Sequence, residues 1–296
     1  MSPSSTETTD AGFAILEKSM LAPTIGRFLV KAPYVARKHR AGNFVIVRLD
    51  ETGERIPLTI VDADREQGTI TLIVQAVGKT TKALCAKRAG EMIRDVVGPL
   101  GNPTPVEHHG AVACVGGGVG TAELYPIARA LRAAGNAVHS IIGARTRELV
   151  ILEEEMRAVS DSLAVTTDDG SYGRKGLVTD ALAVLLDARP EITVVYAIGP
   201  LVMMRAVTQL ARARGRSCIV SLNTIMVDGT GMCGGCRVTV NGQMKFACVD
   251  GPEFDGAGVD FDELIARNRT YVDLERLADE RAACVLAAAV PEVAAR

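Results

Sequence analysis

Short apolar, β-branched runs closed by turn-forming residues fill the first third of the chain. Residues 44–49, 56–61 and 69–74 are such runs, bounded by Glu51-Thr52-Gly53-Glu54 and by Asp64-Arg65-Glu66-Gln67-Gly68. Strands at this spacing, with one short helical stretch at 81–87, predict a small antiparallel β barrel over 13–105. The breaker cluster Gly98-Pro99-Leu100-Gly101-Asn102-Pro103-Thr104-Pro105 marks the end of that domain.

Beyond it the period changes. Apolar strand-like runs at 111–115, 138–142, 163–166, 193–198 and 218–222 alternate with helical periodicity at 121–134, 147–159, 178–186 and 201–214. This alternation predicts a Rossmann-like α/β domain over 106–224, a parallel sheet with helices on both faces. Ligands of such sheets sit beyond the carboxyl ends of the strands. Residues 225–261 are rich in Gly and Cys, with a hairpin predicted at 237–247 around Asn241-Gly242. A helical segment follows over 262–296, its periodicity clearest at 262–289, and residues 1–12 are expected to form a frayed tail.

Composition narrows the function. Lys and Arg number 33 against 35 Asp and Glu, so the net charge of −2 offers no basic excess for nucleic acid. Aromatic residues are only 4% of the chain and Trp is absent, which removes the stacking platforms of single-strand binders. The longest apolar stretch, 192–204, is interrupted by Gly199-Pro200 and too short to span a bilayer. The first ten residues lack the basic and apolar regions of a signal peptide. Seven cysteines, an odd number, argue against a disulfide framework and for a reducing cytoplasm.

Three segments carry candidate chemistry. Cys233, Cys236 and Cys248, among glycines, match the last three positions of the plant-type [2Fe–2S] spacing C-x4-C-x2-C…C. The first position falls on Asp228, whose carboxylate is the candidate fourth iron ligand. A Cys3Asp zinc site, or a turn without metal, fits the same residues. The run Gly116-Gly117-Gly118-Val119-Gly120-Thr121 follows a predicted strand and opens a helix. There glycines let a dinucleotide pyrophosphate approach a helix N-terminus, although a plain turn also fits. Arg145, after the next strand, would lie near the adenosine ribose, as a 2′-phosphate partner or as a solvated charge. In the barrel, Arg55-Ile56-Pro57-Leu58-Thr59-Ile60 places a cation and a hydroxyl on one strand, and Gly78-Lys79-Thr80-Thr81 opens a helix with donors for phosphate. Taken alone, these two read as an ordinary strand and a capped helix start. Cys85, Cys114, Cys218 and Cys284 lie in apolar segments and read as buried small hydrophobes.

Barrel, nucleotide domain and Cys-rich segment in this order resemble the ferredoxin–NADP+ reductase superfamily. More narrowly, Arg55 to Ile60, Asp228…Met232-Cys233-Gly234-Gly235-Cys236-Arg237 and Phe246 to Gly256 resemble the small (alpha) subunits of NADH-dependent reduced ferredoxin:NADP+ oxidoreductases, which are sulfide dehydrogenase-like. An aspartate in place of the first cluster cysteine is characteristic of that family. The electron-transfer subunit of dihydroorotate dehydrogenase, with four cysteines, is the related alternative.

The resemblance implies an NAD(P)H-dependent oxidoreductase subunit carrying FAD and a [2Fe–2S] cluster. It implies that Arg55, Pro57, Leu58, Thr59 and Gly78 to Thr81 hold FAD, with Thr59 near flavin N5. Gly116, Gly117, Gly118, Gly120, Thr121, Arg145, Gly199 and Pro200 would hold NAD(H) or NADP(H), and Asp228, Cys233, Cys236 and Cys248 the cluster. Many relatives place a cysteine before the Gly-Pro pair, where this chain has Ile198. A larger flavin and iron–sulfur partner subunit is expected, with ferredoxin reached through the complex. A non-catalytic, zinc-stabilised nucleotide-binding module is the competing class.

Overall fold

The structure, a computed structural model, describes residues 12–288. The tail expected at 1–12 therefore lies outside the described residues except for Gly12. The first domain comprises β1 (Phe13–Ala22), β2 (Ile25–Lys31), α1 (Pro33–Lys38), β3 (Phe44–Arg48), β4 (Ile56–Asp64), β5 (Thr69–Gln75), α2 (Lys79–Ala86), β6 (Met92–Ile93) and β7 (Asp95–Leu100). The strands form one antiparallel sheet in the order β6-β1-β2-β5-β4-β3-β7. Its two edge strands are consecutive, with only Arg94 between them, so the sheet curls round into a nearly closed barrel.

Alternation along the strands sorts the side chains. Val45, Val47, Leu58 and Ile60 pack inside the barrel with Phe28, Ile70 and Leu72. Phe44 and Ile46 point the other way and pack with Met226, Cys236, Ala247 and Cys248. One strand thus serves two cores.

The second domain contains β8 (Ala111–Gly117), α3 (Gly120–Ala133), β9 (Ala137–Ala144), α4 (Glu153–Ala158), β10 (Ser162–Thr167), β11 (Arg174–Lys175), α5 (Val178–Ala188), β12 (Ile192–Ile198), α6 (Leu201–Ala213) and β13 (Ser217–Ser221). The Cys-rich segment adds the hairpin β14 (Arg237–Val240) and β15 (Gln243–Phe246), a single turn α7 (Ala247–Asp250), and β16 (Glu253–Asp255). The chain then forms α8 (Phe261–Asn268) and α9 (Val272–Ala288). The large sheet runs β11-β10-β9-β8-β12-β13-β16, parallel except that β16 pairs antiparallel with β13. The Cys-rich segment is therefore stitched to the nucleotide domain through a strand that periodicity did not reveal.

Two helices predicted as continuous are broken. Over 147–159 only Glu153–Ala158 is α-helical, after a 3-10 turn at Arg147–Leu149. Leu152 takes a left-handed backbone, φ 57°, and Ile151 and Leu152 are buried in a core shared with Ile25, Val61 and Ile73 of the barrel. Tertiary burial of that apolar run overrides its local helical preference. Over 262–289, α8 and α9 are separated at residues 269–271, and Ala289 lies outside the described residues. The predicted hairpin forms, with Asn241 and Gly242 both at positive φ.

Barrel and nucleotide domain meet along α3. Leu124, Ile127 and Ala128 share the core with Ile25, Val61 and Ile73, and Arg129 pairs with Asp62 at 2.8 Å. No helix among the described residues is long and apolar enough to cross a membrane.

Candidate functional site

The order of the parallel strands reverses between β8 and β12, and their carboxyl ends open into a cleft of about 800 Å3. Gly117, Gly118 and Gly120 line it from the end of β8 and the start of α3, Arg145 from the end of β9, and Gly199 and Pro200 from the end of β12. Ile25 and Gln75 enter from the barrel, so the cleft lies between the domains. Gly116 and Thr121 sit behind the lining. A Cβ on Gly116 would lie 3.0 Å from the Thr121 hydroxyl, which makes this pair a packing contact.

Each glycine has its own reason. A Cβ on Gly117 would come within 2.4 Å of Met203 Sδ, and one on Gly120 within 2.6 Å of the Ile198 carbonyl oxygen. Gly118 instead has φ +57° with open space above it, which leaves backbone accessible at the mouth of the cleft. The N-terminus of the fourteen-residue α3 points at the same place, where its partial positive charge suits phosphate.

The cleft also holds residues the sequence reading missed: Glu123, Asp168, Asn223 and Gln75. Burial pushes the Glu123 carboxyl up to about 7. Its signal was its place in the first turn of α3, three residues beyond Gly120. Asn223 lines the cleft from the stretch between β13 and the Cys-rich segment. Beside it the Thr224 hydroxyl is buried without a hydrogen-bond partner, an orphan of the kind a bound polar group satisfies.

On the barrel, Ile56 and Leu58 pack inward, while Val61 packs in the seam toward the nucleotide domain. By alternation Pro57 and Thr59 share the outer face with Val61. The half-buried Leu58 side chain thus packs against the barrel core, leaving its backbone as its main contribution to a ligand. Arg55 is exposed just before the strand. At α2 the expected hydroxyl donors are already engaged. The Thr81 hydroxyl accepts from the Val77 and Gly78 N–H groups at 3.0 Å, and the Thr80 hydroxyl donates to the Glu54 carboxylate. What remains for phosphate there is the exposed Lys79 and the backbone of the first turn.

The four cluster candidates fall into two pairs. Cys236 and Cys248 are buried with their sulfurs 3.2 Å apart. Burial, with the neighbouring Cys236 thiol, pushes Cys248 up to about 12. Asp228 accepts from the Thr230 N–H at 2.8 Å and from the Cys233 N–H at 2.7 Å, contacts that hold its carboxyl below the usual range. Cys233 itself is exposed. Among the described residues no three His, Cys, Asp or Glu side chains are grouped to hold a single metal ion. Each iron of a [2Fe–2S] cluster shares two sulfides and needs two further donors, and two donor pairs fit that requirement, three donors from the glycine-rich loop 228–236 and Cys248 from α7 beyond the hairpin. Among the other cysteines, Cys114 and Cys218 are buried, as expected of small hydrophobes, whereas Cys85 is only half-buried; the side chain of Cys284 lies outside the described residues.

A cavity of about 300 Å3 joins this loop to the barrel. It is lined by Ile46, Arg48, Arg55, Asp95, Val97 and Asp228. The sequence separates Arg55 and Asp228 widely, and the fold puts both on one small space.

Known proteins resemble this chain in sequence and fold. The family described as the iron–sulfur cluster binding domain of dihydroorotate dehydrogenase B matches residues 223–260. A Thermotoga maritima homologue of the dihydroorotate dehydrogenase B (NAD(+)) electron transfer subunit is 51% identical over 267 residues, covering 90% of this chain and 94% of that protein. The electron transfer subunit of Geobacillus thermodenitrificans is 34% identical over 249 residues, covering 81% and 94%. A solved structure of an NADH-dependent reduced ferredoxin-NADP oxidoreductase, studied for flavin-based electron bifurcation, is 48% identical with a TM-score of 0.87, covering 95% of this chain and 99% of that one. A cytochrome P450 reductase from Amycolatopsis, 22% identical with a TM-score of 0.57, shares the fold. The chain therefore belongs to the family of dihydroorotate dehydrogenase B electron-transfer subunits and their homologues, on a ferredoxin-reductase-like fold, and is a close homologue of a subunit of NADH-dependent reduced ferredoxin-NADP oxidoreductase.

Proposed function

We propose that this protein is an NAD(P)H-dependent oxidoreductase subunit that carries FAD and a [2Fe–2S] cluster and passes electrons to a larger partner subunit. The observation that carries the reading is the cavity shared by Arg55, just before the flavin-type strand, and Asp228, on the cluster-type loop. The chain brings its two candidate redox sites together with no other domain between them.

Bound FAD supplies the exchange between two-electron hydride chemistry and one-electron flow, and the cluster supplies the one-electron exit. The protein's part is positioning. Gly118 and the N-terminus of α3 hold the dinucleotide phosphates, Gly199 and Pro200 close the cleft beside them, and Arg145 stands by the ribose. Pro57 and Thr59 would present the outer face of β4 to the flavin, Thr59 being the candidate neighbour of its reactive nitrogen, and Arg55 with the first turn of α2 would neutralise the diphosphate. Asp228, Cys233, Cys236 and Cys248 would hold the cluster, the thiols binding as thiolates. No side chain needs to act as a general acid or base, because hydride transfer depends on orientation.

A cluster held by an exposed loop has a use only if something receives its electrons. The receiver is a larger subunit with its own flavin or iron–sulfur centres, as in an electron-bifurcating ferredoxin:NADP+ oxidoreductase, in a cytoplasmic complex that exchanges with ferredoxin. A dihydroorotate dehydrogenase-type partner is the second reading, supported by the match over 223–260.

Anaerobically purified protein is expected to show combined flavin and iron–sulfur absorption that bleaches on adding NADH or NADPH. A colourless, iron-free protein after reconstitution with FAD, iron and sulfide overturns the proposal.

A further inference from the structure

The strands β3 and β7 present an ion pair to the cluster loop. Arg48 and Asp95 are opposite each other in the antiparallel register, and Arg48 Nε donates to an Asp95 carboxylate oxygen. Arg48 Nη1 also donates to the Glu51 carbonyl at 3.3 Å, which anchors the guanidinium from a second direction. Both side chains are partly buried, at 24% and 36% exposure, so solvent screens them less than surface charges. Alternation places Arg48 on the same outer face as Phe44 and Ile46, the residues that pack with Cys236 and Cys248. Arg48 and Asp95 both line the cavity that Asp228 closes.

The separation between this pair and the loop is fixed by contact. Gly229, next to Asp228, has φ +75°, and a Cβ there would come within 2.6 Å of Leu100 Cδ1 and 3.0 Å of Ile46 Cγ1. The loop backbone therefore lies directly on β3 and β7 with no room for a side chain. Charges on those strands are held at a set distance from the Asp228 carboxylate.

We propose that Arg48, held by Asp95, is a positioning charge that sets the reduction potential of the cluster bound at Asp228, Cys233, Cys236 and Cys248. This rests on the reading of that loop as a [2Fe–2S] site. One-electron reduction adds a negative charge to the cluster, and a fixed cation across a small cavity stabilises the reduced form. Asp95 opposes Arg48 and limits the effect, so the pair works as a balance. Removing the cation leaves Asp95 uncompensated and disfavours reduction; removing Asp95 does the reverse.

The test is an EPR-monitored redox titration of the anaerobic holoprotein and its variants R48Q, R48K and D95N, with iron and flavin contents measured alongside. R48Q is expected to reduce the equilibrium constant for loading an electron onto the cluster about tenfold, a downward shift of about 59 mV for one electron. D95N is expected to shift upward, and R48K to stay close to the parent. Shifts of R48Q and D95N in the same direction, or no shift in either, overturn the proposal, since simple loosening of the barrel does not reverse sign with the charge removed. If R48Q does not retain iron, an upward shift of D95N with R48K at the parent value still supports the proposal, and a downward shift or no shift of D95N overturns it. A parent protein with no diiron signal at all overturns the underlying reading instead, and is recognised by its iron content.

Discussion

Two glycine-rich loops dominate this molecule, and they use glycine for different physical reasons. In the loop after β8, Gly116, Gly117 and Gly120 are needed because side chains or backbone crowd the place a Cβ would take. Only Gly118 there has a positive φ. In the loop after Asp228 the need is mainly conformational: Gly229, Gly231 and Gly234 all lie at φ between +68° and +86°. The first loop lets helix, strand and ligand approach closely; the second lets backbone N–H groups turn back toward Asp228 and Cys233. A count of glycines cannot tell these apart, and substitution should.

The largest expected effect is on the second loop. Cys236→Ser replaces a buried thiol whose sulfur lies 3.2 Å from that of Cys248. Iron and sulfide content is expected to fall to near zero while NAD(H) binding persists, and retention of a full cluster would refute the assignment of Cys236. Gly120→Ala comes next. Its Cβ meets the Ile198 carbonyl at 2.6 Å, so overpacking is expected to cost about 1–3 kcal/mol, read by thermal unfolding together with weakened nucleotide binding. Gly118→Ala meets open space and carries only the left-handed backbone penalty of about 1–2 kcal/mol, so its loss of stability should be the smaller of the two. The reverse order would show that the helix-to-strand contact is softer than its geometry indicates.

Two carboxyls sharpen the comparison through pH. Burial pushes both Glu123, in the dinucleotide cleft, and Glu253, on β16, up to about 7. Each is raised above its ordinary 4.5, so the folded state holds the proton more tightly than the unfolded chain between those values. Stability therefore falls as pH rises through that window, by up to roughly 3 kcal/mol for Glu253. Burial also holds His39 down at about 4, which opposes this slope below pH 6.5. The measurement is therefore the difference between parent and Glu253→Gln in denaturant titrations at pH 5 and 8, where the variant should lose less stability toward pH 8. The smallest expected effect is at Glu123. Its ionisation above pH 7 adds a negative charge beside the phosphate site, so NAD(H) affinity should weaken a few-fold from pH 6 to 8 in the parent and stay level in Glu123→Gln. Equal pH dependence in both proteins would separate Glu123 from the bound dinucleotide.

Much of the site was legible because its chemistry is local. The strand–glycine–helix order at 111–134 and the Cys spacing from 233 to 248 each depend on neighbours along the chain, and Asn241-Gly242 fixed its own hairpin. Leu58, Thr80 and Thr81 were harder. The flavin-type motif marked them as ligands, whereas the pleat turns Leu58 into the barrel and both hydroxyls are taken by Glu54 and by the helix cap. Glu123 had only its place in the first turn of α3 to mark it, and Asn223 and Thr224 carry no motif and became visible only when the stretch after β13 met the cleft.

The sequence by itself determined the barrel, the parallel sheet, the glycine loop and the spacing of three cysteines and one aspartate. These follow from periodicity of two or 3.6 residues and from spacings within a few turns of chain. Tertiary structure alone decided that β16 ties the Cys-rich segment to the nucleotide sheet, that Leu152 breaks a helix to enter the domain seam, and that Arg48, Arg55, Asp95 and Asp228 face one cavity. Those outcomes depend on which surfaces bury one another across many residues, and side-chain alternation gains its meaning only once the two faces of a strand have found their partners.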